Sequence, residues 1–264
     1  RTDRTPGNAT VVVDPSELTG DATAAIDGYH PSPDGRLVAY GLSVGGDERS
    51  TLYVFDVDSG VHTRDRIPYT RAASVAWAPK GDAFAYTRYP DPADVDAGDD
   101  QYWRKVYWHR LGEPWESDEL IWGDLPDKTA WPNLSISKNG RWLLVHVSLG
   151  WSRIDVHLLD LSTGSHTVLI EGIDAVSSLE VVGSHVIGLT TLDADRGRVV
   201  RAPLAQAWHA NWETIVAESD AVIDAVASTS GSLLVLSSKS AVSRLDRYDH
   251  DGTGHEPVAL PDMG

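Results

Sequence analysis

The chain of 264 residues has no cysteine, one methionine and two phenylalanines. Without cysteine, disulfide stapling, thiolate metal ligation and a cysteine nucleophile are all excluded, while the redox compartment stays open. No apolar run approaches the roughly 18 residues of a membrane-spanning helix, and Arg1 to Asn8 is polar with no apolar segment behind it. Neither a membrane partner nor a secretory signal is expected, and the location expected is cytoplasmic. Basic charge is also scarce. Lys and Arg total 22 against 39 Asp and Glu, for a net charge of −17. That field repels a phosphate backbone or an anionic bilayer, which argues against nucleic acid as a partner. Only five of the basic residues are lysine, so most positive charge sits on planar Arg groups suited to fixed pairs.

Several chemical signatures are missing as well. There is no His-Glu-x-x-His, no dinucleotide-binding glycine fingerprint and no phosphate loop, so no metal or cofactor is expected. The ten histidines are scattered. His109, His146 and His157 fall in strand-like segments and are expected to be hydrogen-bonded structural residues. Asp94 to Asp100 and Asp249-His250-Asp251-Gly252 resemble calcium loops only loosely, lacking a terminal bidentate Glu, and read as solvated turns. The sequons Asn8-Ala9-Thr10 and Asn133-Leu134-Ser135 read as chance matches. Gly41-Leu42-Ser43-Val44-Gly45 matches the Gly-x-Ser-x-Gly nucleophile elbow. An elbow must turn from a strand into a helix, and Ser43 is followed by a glycine-rich turn and another strand, so no catalytic residue is assigned.

What the chain does have is a repeat. Turns at Pro33-Asp34-Gly35, Pro79-Lys80-Gly81, Lys138-Asn139-Gly140, Val182-Gly183-Ser184 and Ser230-Gly231-Ser232 place their glycines 46, 59, 43 and 48 residues apart. Four strands of about six residues plus turns consume that length. Each turn leads into an apolar strand, as at Leu37 to Tyr40, Ala83 to Tyr86, Trp142 to Val145, His185 to Gly188 and Leu233 to Leu236. A third strand follows in four of the repeats, as at Thr51 to Phe55 and Ile154 to Leu158, with hairpin glycines at Gly60 and Gly164. The pattern predicts an all-β chain of four-stranded β-propeller blades at about 19–66, 67–125, 126–171, 172–218 and 219–262, after a remnant in residues 1–18 whose strand lies near Thr10 to Asp14. Trp208 and Trp212, four apart within Leu204 to Thr214, allow either one helical turn or a loop. A propeller must close on itself, so residues 1–264 read as a single, partial propeller domain that belongs to a larger ring.

The wording of the repeats carries a resemblance. Gly28-Tyr29, Ser32-Pro33-Asp34-Gly35, Val75-Ala76-Trp77, Tyr86-Thr87-Arg88-Tyr89-Pro90, Val106-Tyr107-Trp108-His109-Arg110-Leu111-Gly112, Leu125-Pro126-Asp127 and Ser137-Lys138-Asn139-Gly140-Arg141 follow one another in order. The chain resembles the propeller of prolyl oligopeptidase, most strongly from Tyr29 to Arg141 and faintly after Gly164. The resemblance implies a seven-bladed ring capping an α/β-hydrolase domain of the same polypeptide, which holds the catalytic Ser, Asp and His. It also implies that the propeller limits access to short proline-containing peptides and keeps bulk water from the reacting site. The propeller's share of the substrate pocket falls at Ala72, Trp131 and Trp151, with a neighbouring family arginine replaced by Ser148. Ala72 stands where the family has an aromatic, so subsite preference does not carry over, and Trp131 and Trp151 suit blade packing as well as a pocket. Two other readings stay open, a propeller like that of oligopeptidase B, which prefers basic residues, and a stand-alone propeller that binds protein or sugar.

Overall fold

A computed structural model describes residues 11–47 and 49–260. The chain divides after Leu134 into two compact units. The Asn8 sequon and the first ten residues of the expected remnant lie outside the described residues. Val11 to Asp14 form no strand, contrary to the expectation for the remnant. Asp14 instead caps a short helix, α1 (Pro15–Thr19), its carboxylate accepting from the Ser16 and Glu17 N–H groups at 2.9 and 3.3 Å. Pro15 at the first helical position and Gly20 in the left-handed region complete a well-formed helix signal.

Every other long element is a strand, and the strands form five four-stranded antiparallel sheets in simple up-and-down order. In the first unit β1 (Ala25–Pro31), β2 (Leu37–Ser43), β3 (Thr51–Asp56) and β4 (Val61–Ile67) make one sheet. β5 (Val75–Trp77), β6 (Ala83–Arg88), β7 (Lys105–Arg110) and β8 (Glu119–Trp122) make the next. The third comprises β9 (Trp131–Ile136), β10 (Trp142–Leu149), β11 (Arg153–Asp160) and β12 (Ser165–Ile170). In the second unit it is followed by β13 (Ser177–Val182), β14 (His185–Thr190), β15 (Arg198–Pro203) and β16 (Glu213–Val216). The last sheet is β17 (Val222–Ser228), β18 (Leu233–Lys239), β19 (Val242–Tyr248) and β20 (Glu256–Val258). These are the five blades expected from the glycine spacing.

The repeated turn has a physical cause. In the first sheet the Ser32 hydroxyl donates to Asp34 Oδ1 at 2.6 Å and accepts from the Leu37 N–H at 3.0 Å. Asp34 Oδ1 also accepts from the Arg36 N–H at 3.0 Å, and Gly35 takes φ 70°, where a side chain would be strained. Ser137, Asn139, Arg141, Trp142 and Gly140 reproduce the arrangement in the third sheet, with distances of 2.6, 3.0 and 2.9 Å and φ 73°. The turn at Ala78 to Ala83 keeps the backbone bonds without the serine.

Within each unit the core lies between the faces of successive sheets. In the first unit Leu37, Leu52, Val54 and Ile67 meet Trp77, Phe84 and Tyr86, and the Trp77 indole N–H donates to the His30 carbonyl at 2.9 Å. In the second unit Leu144, Val156 and Leu158 pack on Leu179, Val186 and Val200, and Ile187 and Val199 on Ile223, Leu233 and Val235. Such stacking of apolar faces is the main stabilising term for a blade. The Leu204 to Thr214 segment is not one helix. It holds two 3-10 turns, Leu204–Gln206 and His209–Asn211, with the Trp212 indole buried against the Ala207 carbonyl at 2.8 Å and Trp208 exposed.

Candidate functional site

Ala72 lies in the link between β4 and β5, which makes a sharp turn. Tyr69 and Ala72 take φ 62° and 42°, a region non-glycine residues enter only when surroundings hold them there. Thr70 anchors one side, its N–H and hydroxyl donating to the Ser50 carbonyl at 3.0 and 3.1 Å. Arg104 holds the other. Its Nη2 donates to the Arg71 carbonyl at 2.6 Å and to the Tyr89 hydroxyl at 2.8 Å, and its Nη1 donates to the Ala72 carbonyl at 3.0 Å. The guanidinium carbon lies 3.5 Å from the ring centroid of Trp131 and 4.5 Å from that of Tyr89.

Arg104 is only 1% exposed, and its described contacts are carbonyls, a phenol and ring faces, with no carboxylate among them. Burial pulls its pKa below the usual arginine value, against the Tyr89 contact that favours the charge. The group stays cationic, because an arginine pKa starts far above neutrality. Two expected pocket positions therefore meet on one residue that the resemblance did not mark. A faint signal was present, an arginine directly after Trp103 at the end of the insertion and at the entry to β7.

In the second unit, Ser148 and Trp151 belong to the β10–β11 hairpin. Ser148 faces Ile154 in register, and Gly150 turns the chain with φ 69°. Trp151 is 101% exposed at the tip, so it packs no blade. Below it, Arg153 makes a two-point pair with Asp155 at 2.9 and 2.6 Å. The Trp151 indole is fully hydrated at the hairpin tip.

None of the histidines expected to be structural is placed as a catalytic base. His109 is wholly buried, with Nε2 at 2.8 Å from Asp65 Oδ1 and Nδ1 at 2.8 Å from Asp118 Oδ1. Burial opposes its charge, but the two carboxylates prevail and lift its pKa to about 9. The His146 ring accepts from the Leu179 N–H at 3.0 Å, and burial lowers its pKa to about 4. His157 meets His166 at 3.0 Å. Ser43 is buried and donates to Asp27 Oδ1 at 2.9 Å, and the chain continues through Gly45 and Gly46 into β3 rather than a helix. A serine–histidine bond does occur between Ser184 Oγ and His185 Nδ1 at 3.2 Å, but Arg201 rather than a carboxylate sits at the ring's Nε2, at 3.0 Å. That cation and burial both disfavour the imidazolium a base must become. Among the described residues no group of three or more His, Asp or Glu is gathered for a metal, and no helix is long and apolar enough to cross a membrane.

Comparison with known proteins bears on the same geometry. The family model for the prolyl oligopeptidase N-terminal β-propeller domain matches residues 1–264. The chain belongs to that family. A prolyl endopeptidase of Elizabethkingia meningoseptica is 23% identical over 264 residues, covering 98% of this chain and 37% of that protein. Prolyl oligopeptidase A of Galerina marginata is 31% identical over 157 residues, covering 53% of this chain and 21% of that protein. A solved prolyl endopeptidase, from a study of inter-domain dynamics in catalysis and specificity, superposes with a TM-score of 0.88 at 26% identity, over 97% of this chain and 38% of its own. The chain thus spans well under half the length of the relatives it matches. It is the non-catalytic propeller segment of a prolyl oligopeptidase-family protein.

Proposed function

We propose that this propeller walls one side of the peptide chamber of a serine peptidase that cuts short peptides after proline. The catalytic Ser, Asp and His then lie on an α/β-hydrolase domain of the same polypeptide, and residues 1–264 supply most of a single seven-bladed propeller domain. Its role is to admit short peptides, refuse folded chains and keep bulk water from the reacting site.

The observation that carries this reading is the state of the pocket positions. Trp131 offers one ring face to Arg104, and Trp151 is wholly exposed at a hairpin tip. Ala72 and Trp131 then form one part of the lining, with Arg104 as the positioning residue behind them. In the second unit Ser148 and Trp151 are the lining positions of the same reading. A cytoplasmic location belongs to the same proposal and is tested by fractionation.

The direct test is the intact protein on a Gly-Pro chromogenic peptide, with a basic-residue peptide as control. Cleavage after proline, abolished by replacing an elbow serine outside residues 1–264, is the expected result. Cleavage only of the basic peptide would move the substrate class, and no cleavage of either would end the peptidase reading.

A further inference from the structure

The insertion between β6 and β7 runs from Tyr89 to Arg104, and its last residue but one is Trp103. The second sheet has the order β5-β6-β7-β8 and is antiparallel throughout. The β6–β7 connection therefore lies at the end of the sheet where β5 begins and β8 finishes. The link carrying Ala72 leads to that end, and the chain departs from it toward Trp131 at the start of β9. Trp103 thus shares one end of the sheet with two of the expected lining positions.

The residue is held there against its backbone preference. Its φ is 59°, in the left-handed region. Among the described residues six that are not glycine have positive φ, and three of them, Tyr69, Ala72 and Trp103, belong to the two segments that Arg104 joins. Strain of this kind persists only where neighbours over-determine it, and it gathers at ligand-contacting sites. The neighbours are specific. The Trp103 N–H donates to the Lys128 carbonyl at 3.0 Å, and its indole N–H donates to Asp99 Oδ2 at 3.3 Å. Lys128 Nζ donates to Asp99 Oδ1 at 2.8 Å and lies 4.4 Å from the Tyr102 ring centroid. Lys128 stands three residues before Trp131, and Arg104, next after Trp103, stacks on the Trp131 ring at 3.5 Å. One carboxylate, Asp99, thereby fixes the Trp103 ring and ties the insertion to the segment that carries Trp131.

Even so, Trp103 remains 36% exposed. Asp99 and Lys128 neutralise each other and the indole N–H already has its acceptor, so what the residue offers outward is apolar ring. Building on the chamber-wall reading, we propose that Trp103 is a further peptide-contacting residue that favours an apolar side chain ahead of a Gly-Pro pair, with Asp99 and Lys128 as its positioning residues.

The test compares kcat/KM of the intact protein on acetyl-Leu-Gly-Pro and acetyl-Gly-Gly-Pro p-nitroanilides. The wild type should favour the leucine peptide about fivefold, through KM, which is what partly burying one leucine side chain supplies. Trp103→Ala should abolish the preference, and Trp103→Phe should keep most of it. Asp99→Asn should weaken the preference and speed hydrogen exchange at the Trp103 amide, and Asp99→Glu should restore both. A wild type that cuts neither peptide ends the chamber-wall reading, and the Trp103 assignment with it. Cleavage of both peptides without a leucine preference, or with a preference that survives in Trp103→Ala, overturns the assignment alone and leaves that reading standing. A lowered Tm in Trp103→Ala with the peptide ratio unchanged would show a role in folding only, and unchanged exchange in Asp99→Asn would remove the positioning role.

Discussion

The Arg104 guanidinium lies 3.5 Å from the Trp131 ring centroid while its terminal nitrogens hold the carbonyls of Arg71 and Ala72. One buried cation thereby fixes both a strained turn and an aromatic wall. Arg104→Lys removes the planar fork and the stacking, and Arg104→Met leaves two carbonyls and a phenol unpaired. Each should cost about 3 kcal/mol in urea unfolding, by analogy with broken buried polar networks. Peptide KM should rise in the lysine variant. A loss below about 0.5 kcal/mol in both, the range of an ordinary surface substitution, would show the clamp to be idle.

Stability should also follow pH through His109. Burial disfavours its charge, yet Asp118 and Asp65 raise its pKa to about 9, above the roughly 6.5 of an unfolded histidine. A raised folded value means that the stabilisation is complete below about pH 6.5 and fades as pH climbs through about 9. Asp65 behaves in the opposite sense. Burial pushes its pKa up, but hydrogen bonds from His109 and Gly112 hold it below the usual value, so its contribution disappears as pH falls through the folded pKa. Thermal melting of His109→Gln should lack the alkaline decline of the wild type, a difference on the order of 2 kcal/mol after solvent screening. Parallel pH curves for the two proteins would refute the network.

The matched turns make a third expectation. Ser32→Ala and Ser137→Ala each strip the hydroxyl that bridges a turn carboxylate or amide to the next strand's N–H, and each should cost about 1–2 kcal/mol. The equivalent Ala78 has no hydroxyl, so Ala78→Ser there should change stability little. Equilibrium unfolding of the three variants checks this, and equal effects at all three positions would count against it.

Most of the blade plan was legible because it is local. A turn glycine at Gly35, Gly81 or Gly140 and the apolar strand after it lie within ten residues of each other. The five resulting sheets fall within one residue of the expected bounds, β4 ending at Ile67. The helix α1 is also written locally, as Asp14-Pro15-Ser16-Glu17, but the preceding Val11-Val12-Val13 favours strand and masks that signal. What escaped was long-range. Arg104 acts on residues 32 and 33 positions earlier, and His109 meets Asp65 across 44 residues. No pattern of spacing reports such contacts, which exist only once two sheets are stacked. Exposure was hidden for the same reason, since the sequence does not separate the packed ring of Trp131 from the bare one of Trp151.

Trp151 gives the most direct test of the chamber-wall account, because its side chain contributes nothing to the blade. The measurement is kcat and KM of the intact protein on a short Gly-Pro peptide, for the wild type and Trp151→Ala, beside the Tm of each. The account predicts cleavage after proline, a KM raised several-fold in the variant, and Tm unchanged. An unaltered KM, or a wild type that cuts no proline peptide, would contradict it.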